Sequence, residues 1–215
     1  MSIKLIIFDL DGTLIDSSID IANAINYAIG PYGAPLVTVQ DVTSLVGEGI
    51  TSLMDRLIVK DGIKADTDSL VKQFLNHYSD HITDNTPLYP GVRETLAQLG
   101  AYRKAVISNK RVALCVKVLE DLGASEYMDI IVGSDTVQER KPSPMPVRHV
   151  LSTLGIAPDA AVIVGDSNYD IEAGKAAGIK TVAVTYGYRP LAVLQGADFI
   201  INSMPELTDV LRRLS

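Results

Sequence analysis

The chain has 215 residues, of which 47% are hydrophobic and 21% charged, a balance that belongs to compact globular proteins and excludes disordered, collagenous and coiled-coil chains. Lys and Arg number 19 against 26 Asp and Glu, a formal net charge of −7, which argues against a nucleic-acid backbone or an anionic membrane surface as partner. An anionic ligand must therefore be met by local cations or by a metal ion.

A single cysteine, Cys115, leaves no intrachain disulfide and no cysteine-rich zinc site. The first apolar stretch, Ile3 to Phe8, is interrupted at Lys4 and ends at Asp9, and no run approaches the ~18 residues of a membrane span. These features predict a reduced, cytoplasmic protein without membrane association.

In chain order, short β-branched runs recur at Ile3–Phe8, Lys104–Ile107, Asp129–Val132, Ala161–Val164, Lys180–Val184 and Asp198–Ile201. Each is too short for a helix and suits a buried strand. Between them, apolar residues at i, i+3, i+4 and i+7 mark helices: Cys115, Val118, Leu119 and Leu122; Val147, Val150, Leu151 and Leu154; Leu207, Val210, Leu211 and Leu214. Alternating strand and helix predicts an α/β fold built on a doubly wound parallel sheet.

The alternation breaks between about residues 15 and 85, where the periodicity is helical through Ile21, Ala24, Ile25, Ala28 and Ile29, then Leu70, Val71, Phe74, Leu75 and Tyr78. Thr86, Pro87, Tyr89, Pro90 and Gly91 mark a turn-rich return before a helix at Val92 to Leu99. The expected organisation is a core of residues 1–14 and 86–215 with an inserted helical domain of residues 15–85.

In a parallel sheet the ligand crevice lies beyond the carboxyl ends of the strands. The residues at those ends are polar: Asp9-Leu10-Asp11-Gly12-Thr13 after the first run, Ser108-Asn109-Lys110 after the second, Gly133-Ser134-Asp135 after the third, and Gly165-Asp166 after the fourth, with Asp170 four residues on. Lys141 stands in the connection after the third strand. Any one of these carboxylates could be a turn former or helix cap. Asp9, Asp11, Asp166 and Asp170 together would repel at one sheet edge unless a hard cation sat among them, and an oxygen-only donor set favours Mg²⁺ over zinc.

Asp9-Leu10-Asp11-Gly12-Thr13-Leu14-Ile15-Asp16-Ser17 resembles the first signature of the haloacid dehalogenase superfamily. Ser108, Lys141 and Gly165-Asp166-Ser167-Asn168-Tyr169-Asp170 resemble its second, third and fourth in the right order. The insertion just after the first strand is similar to the helical cap of phosphoglycolate-phosphatase-like members. The resemblance implies a Mg²⁺-dependent phosphatase acting on a small phosphorylated metabolite, foremost 2-phosphoglycolate, as a monomer or homodimer. Asp9 would be the nucleophile that becomes a phosphoaspartate, and Asp11 the acid that protonates the leaving oxygen and then the base that activates water. Asp9, Asp11 through its carbonyl, and Asp166 would hold the metal, with Asp170 either acting through water or holding Lys141. Ser108, Asn109, Thr13 and the backbone at Leu10 and Gly12 would bind phosphate, and Lys141 would neutralise both the phosphate and Asp9.

Within the insertion, Leu45-Val46-Gly47-Glu48-Gly49-Ile50 with Arg56 resembles the substrate-contacting segment of phosphoglycolate phosphatases. The alternative is a glycine turn between two helices. Arg56 would meet a substrate carboxylate, whereas a carboxylate at Glu48 should repel one.

Other features take plainer readings. His77 and His81 have the spacing of a metal pair but no third ligand nearby, so they are read as a solvated helix face. Cys115 is read as inert packing, and Lys110 and Arg111 as a helix start at the surface. Asp16 and Ser17 are read as capping the first inserted helix. Two rivals use the same core: a phosphomutase or pyrophosphatase, and, from another class, a non-catalytic phosphoacceptor module. Asp11 and the helical insertion argue against the latter, because a stable acyl phosphate needs neither an adjacent acid nor a lid.

Overall fold

The computed structural model describes residues 2–214. Six strands form one sheet: β1 (Leu5–Phe8), β2 (Arg103–Ile107), β3 (Ile130–Val132), β4 (Ala161–Gly165), β5 (Lys180–Val184) and β6 (Phe199–Ile201). Every pairing is parallel, in the order β3-β2-β1-β4-β5-β6. This is the α/β sheet expected from the alternating runs, with strand ends within two residues of those read from the sequence.

All four residues of β1 are buried, as a strand with helices over both faces requires. Side chains alternate across a strand. Leu5 and Ile7 therefore join Ile107, Val132, Ile163, Val147 and Val150 in one apolar layer, while Ile6 and Phe8 are equally buried on the other side. The helices are α5 (Val92–Gln98), α6 (Val112–Asp121), α7 (Met145–Leu154), α8 (Asn168–Ala177), α9 (Leu191–Leu194) and α10 (Leu207–Arg213).

The chain divides into two compact units, residues 1–16 with 88–215, and residues 17–87. The second contains α1 (Ser18–Ile29), α2 (Val39–Leu45), α3 (Ile50–Asp61) and α4 (Thr67–Asp80). Its core is built from the predicted stripes: Ile21, Ala24, Ile25 and Ala28 of α1 and Leu70, Val71, Phe74 and Tyr78 of α4 are buried, with Leu53, Met54 and Leu57 of α3. Buried Asp20 accepts hydrogen bonds from the Asn85 backbone N–H (2.9 Å), the Asn85 amide (2.8 Å) and the Thr86 hydroxyl (2.6 Å). That carboxylate ties the start of this unit to its end. In the first unit the departing and returning segments meet: Ile15 bridges Leu88, and the Tyr89 N–H donates to the Leu14 carbonyl at 3.0 Å.

Candidate active site

The strand order reverses at β1, which pairs with β2 on one side and β4 on the other. A parallel sheet opens a crevice at such a switch point, beyond its carboxyl ends. Asp9 follows β1 directly and Asp166 follows β4, so these two neighbouring strands deliver both acids to that crevice. Asp170 joins them from the first turn of α8. There it closes a capping box, its Oδ2 accepting from the Ser167 hydroxyl at 2.6 Å and the Ser167 N–H at 3.2 Å. Ligand oxygens of Asp9, Asp166 and Asp170 lie within 4.8 Å of one another, and all three residues are buried.

Three buried acids this close are balanced only in part by Lys141, whose side chain is 2% exposed. An ammonium has three N–H donors. Lys141 directs them to the Ile107 carbonyl (2.9 Å), Asp170 Oδ1 (2.6 Å) and Asp9 Oδ1 (2.7 Å). Burial alone would lower the lysine, but the charges of Asp170 and Asp9 outweigh it and hold Lys141 above its ordinary value. The sequence suggests that Lys141 serves the phosphate and Asp9 alike. All three of its donors are taken by protein, which leaves its charge, and not a hydrogen bond, for any further anion.

One lysine does not neutralise three carboxylates. Burial, then the charge of Asp170, raises Asp9 well above the carboxylate range, with Lys141 opposing. Burial and Asp170 likewise push Asp166 up to about 7, against the pull of the Tyr188 N–H, which donates to its Oδ2 at 2.6 Å. The unbalanced charge and the all-oxygen donor set fit a hard divalent cation. Gly12 shapes the same place: its φ of 85° suits glycine, and a Cβ there would collide with the Asp166 carboxylate.

The Leu10 N–H, expected to face phosphate, donates to Asp9 Oδ1 at 2.7 Å. The Gly12 N–H donates to the Ile15 carbonyl at 2.9 Å, and the Thr13 N–H to the Leu10 carbonyl at 3.2 Å. The loop spends these donors on its own turn. The Thr13 hydroxyl, in contrast, is the buried side-chain polar atom without a partner among the described residues. Ser108 is buried at the end of β2 and its hydroxyl accepts from the Lys110 N–H at 3.1 Å. The Asn109 amide donates to the Lys141 carbonyl at 2.9 Å and so ties the end of β2 to the lysine loop.

The side chain of Asp11 stands apart from the acid cluster and pairs with Lys110 Nζ at 2.5 Å. Lys110, expected at the surface, has a side chain only 9% exposed. The pair spans 99 residues of sequence, so no local pattern could have revealed it. Asp16 has a partner distant in sequence as well. Ser17 makes no side-chain cap at α1, and Asp16 Oδ1 accepts from the Tyr188 hydroxyl at 3.2 Å.

In the helical unit, Gly49 (φ 84°) starts α3, and Glu48 just before it forms an ion pair with Arg56. Gly47 also has a left-handed φ, 128°. Arg56 therefore already has an anionic partner, and Glu48 is that partner. The rings of Tyr27 and His77 stack at 4.2 Å, those of His77 and His81 lie tilted to each other at 4.3 Å, and His81 Nδ1 is 2.8 Å from Asp84. Asp9, Asp166 and Asp170 form the metal-compatible group found among the described residues. Among those residues no helix is long and apolar enough to cross a membrane.

Residues 6–184 match the family model of haloacid dehalogenase-like hydrolases. The chain is 41% identical to a phosphoglycolate phosphatase of Chromobacterium violaceum, over 98% of this chain and 97% of that protein. It is 40% identical to one of Aquifex aeolicus, over 97% and 96%. The crystal structure of a predicted phosphoglycolate phosphatase from Haemophilus somnus superposes with a TM-score of 0.92 at 30% identity, covering 98% of both chains. The order of strands, the acids at the β1 and β4 ends and these likenesses converge: the chain belongs to the haloacid dehalogenase-like hydrolase family and is a phosphatase.

Proposed function

We propose that the protein hydrolyses 2-phosphoglycolate or a closely similar small phosphomonoester in two steps, through a phosphoaspartate at Asp9. The observation that carries this reading is the state of the Asp9 carboxylate. Oδ1 is held by both Lys141 and the Leu10 N–H, while Oδ2 has no hydrogen-bond partner among the described residues. A carboxylate fixed by one oxygen presents the other as a nucleophile.

Asp9 Oδ2 attacks phosphorus as the bond to the leaving oxygen breaks, and Asp11, entering this step as the neutral acid with Oδ1 still accepting from Lys110, gives that oxygen the proton carried on its Oδ2. The alcohol departs and the phosphoryl group stays on Asp9. Asp11, now a carboxylate, takes a proton from water, whose oxygen displaces Asp9 and releases inorganic phosphate. The Thr13 and Ser108 hydroxyls supply neutral donors to the phosphoryl oxygens. Asp9 and Asp166 would hold Mg²⁺, with Asp170 behind them, and the ion would offset the charge of the phosphoryl group. The helical unit, residues 17–87, selects the alcohol portion of the substrate, and phosphoglycolate phosphatases among the relatives support the carboxylate-bearing choice. A cytoplasmic setting belongs to the same proposal.

The test is a hydrolysis panel of small phosphomonoesters, with Mg²⁺ and with EDTA. The expected result is strongest phosphate release from 2-phosphoglycolate, lost in EDTA and restored by Mg²⁺. Calcium should support it poorly, because its larger and looser shell misplaces the in-line attack. Full activity in EDTA would overturn the metal assignment. A transfer product with no free phosphate would favour a mutase.

A further inference from the structure

The structure assigns Lys110 to Asp11 as its positioning residue, a part of the machinery that none of the motif residues supplies; the assignment rests on the proposed acid/base role of Asp11. Lys110 Nζ lies 2.5 Å from Asp11 Oδ1, with side-chain exposures of 9% and 10%. A pair this sheltered is held more firmly than a surface ion pair, whose geometry is loose and screened.

The lysine is itself anchored at three points of its backbone and neighbourhood. Its N–H donates to the Ser108 hydroxyl at 3.1 Å, and its carbonyl accepts from the Ser134 N–H at 2.9 Å and from the Cys115 thiol at 3.7 Å. These contacts tie Lys110 to the loop after β2, the loop after β3 and the first turns of α6. The β2 connection thus reaches across to the β1 loop and fixes the direction of one carboxylate there. Asp11 needs such a hold. It is two residues from Asp9 on a loop shared with an anionic cluster, and a proton donor must stay within hydrogen-bond reach of the leaving oxygen.

The consequence is a selective one. An aliphatic alkoxide is a poor leaving group and needs its proton as the P–O bond breaks, whereas p-nitrophenolate leaves without one. The ratio kcat/KM covers steps through the first P–O cleavage and omits hydrolysis of the phosphoenzyme, so it isolates the acid half of Asp11's work.

The experiment measures kcat/KM for p-nitrophenyl phosphate and for the best aliphatic ester of the panel, in the wild type, Lys110→Met, Lys110→Arg and Asp11→Asn. Lys110→Met should lower the aliphatic value by roughly 10- to 100-fold, a part of the 10²- to 10⁴-fold that a positioned acid contributes, with a loss on the aryl ester at least tenfold smaller. Lys110→Arg should recover most of the aliphatic loss, which also covers the case in which Lys110→Met fails to fold. Equal losses on both esters, or none, would overturn the assignment while a selective loss in Asp11→Asn upholds Asp11 as the acid. An unselective Asp11→Asn would instead bring down the acid/base reading itself.

Discussion

Lys141 Nζ lies 2.6 Å from Asp170 Oδ1, and both side chains are 2% exposed. Neither has solvent to fall back on. Removing one partner of a buried ion pair strands the other charge, at a typical cost of about 3–5 kcal/mol. Lys141→Met should fall in that range in urea unfolding with EDTA, and should lose activity. Asp170→Asn retains an oxygen that accepts from Lys141, and Asp9 remains to pair with it, so its cost should be smaller. If Lys141→Met unfolds within about 1 kcal/mol of the wild type, the lysine does not balance the acids as described.

Asp9 and Asp11 should separate cleanly in pre-steady-state kinetics. Asp9→Asn removes the nucleophile and should show neither turnover nor a burst. Asp11→Asn keeps the nucleophile but loses the base that activates water, so with p-nitrophenyl phosphate it should give a burst of nitrophenolate stoichiometric with enzyme, then slow release. Peptide mapping should find the added phosphoryl group on Asp9. A burst in Asp9→Asn, or a label elsewhere, would sink the phosphoaspartate.

The parts of this site that are legible in the sequence are those set by the chain's own local order. Asp9 and Asp166 follow β-branched runs, and the sheet brings such run ends together whatever the details of packing. α8 shows the opposite case. Its buried residues are Asp170, Ile171, Ala173, Gly174 and Ala177, and apart from Ile171 the apolar ones are too small to draw an amphipathic stripe. Their smallness has a cause in the tertiary structure, since a Cβ on Gly174 would collide with Ile163 of β4 and Thr181 of β5. α2 is equally silent, because Val42 is its one buried residue. Lys110 misleads for a different reason: its partner lies on another strand's loop, and charge beside a helix start is ordinarily solvated.

The Glu48–Arg56 pair sets the expectation for specificity. If Arg56 meets a substrate carboxylate, that carboxylate competes with Glu48, so Glu48→Gln should raise kcat/KM for 2-phosphoglycolate. Arg56→Ala should lower it by roughly 10-fold or more, the scale of one charge-assisted hydrogen bond. Both changes should be smaller for p-nitrophenyl phosphate, which has no carboxylate. Unchanged selectivity in both variants would leave the pair as a structural clasp at the start of α3.

Cys115 gives a prediction that needs no substrate. It is 0% exposed, and burial pushes its thiol up to about 12, with Lys110 pulling the other way. The thiolate is the reactive form. At pH 8 the folded protein should therefore react with a disulfide reagent orders of magnitude more slowly than the protein in urea. The linkage has a definite sign: a thiol that keeps its proton in the fold contributes stability that is fully present below the unfolded thiol's value, near 9. Above it the unfolded state loses protons first, so this contribution declines as pH rises toward 12. Cys115→Ser should flatten that decline in urea unfolding between pH 8.5 and 10.5, a range of about two pH units. Rapid labelling of Cys115 in the folded state at pH 8 would show that the α6 face beneath Lys110 opens, and with it the anchor proposed for Asp11.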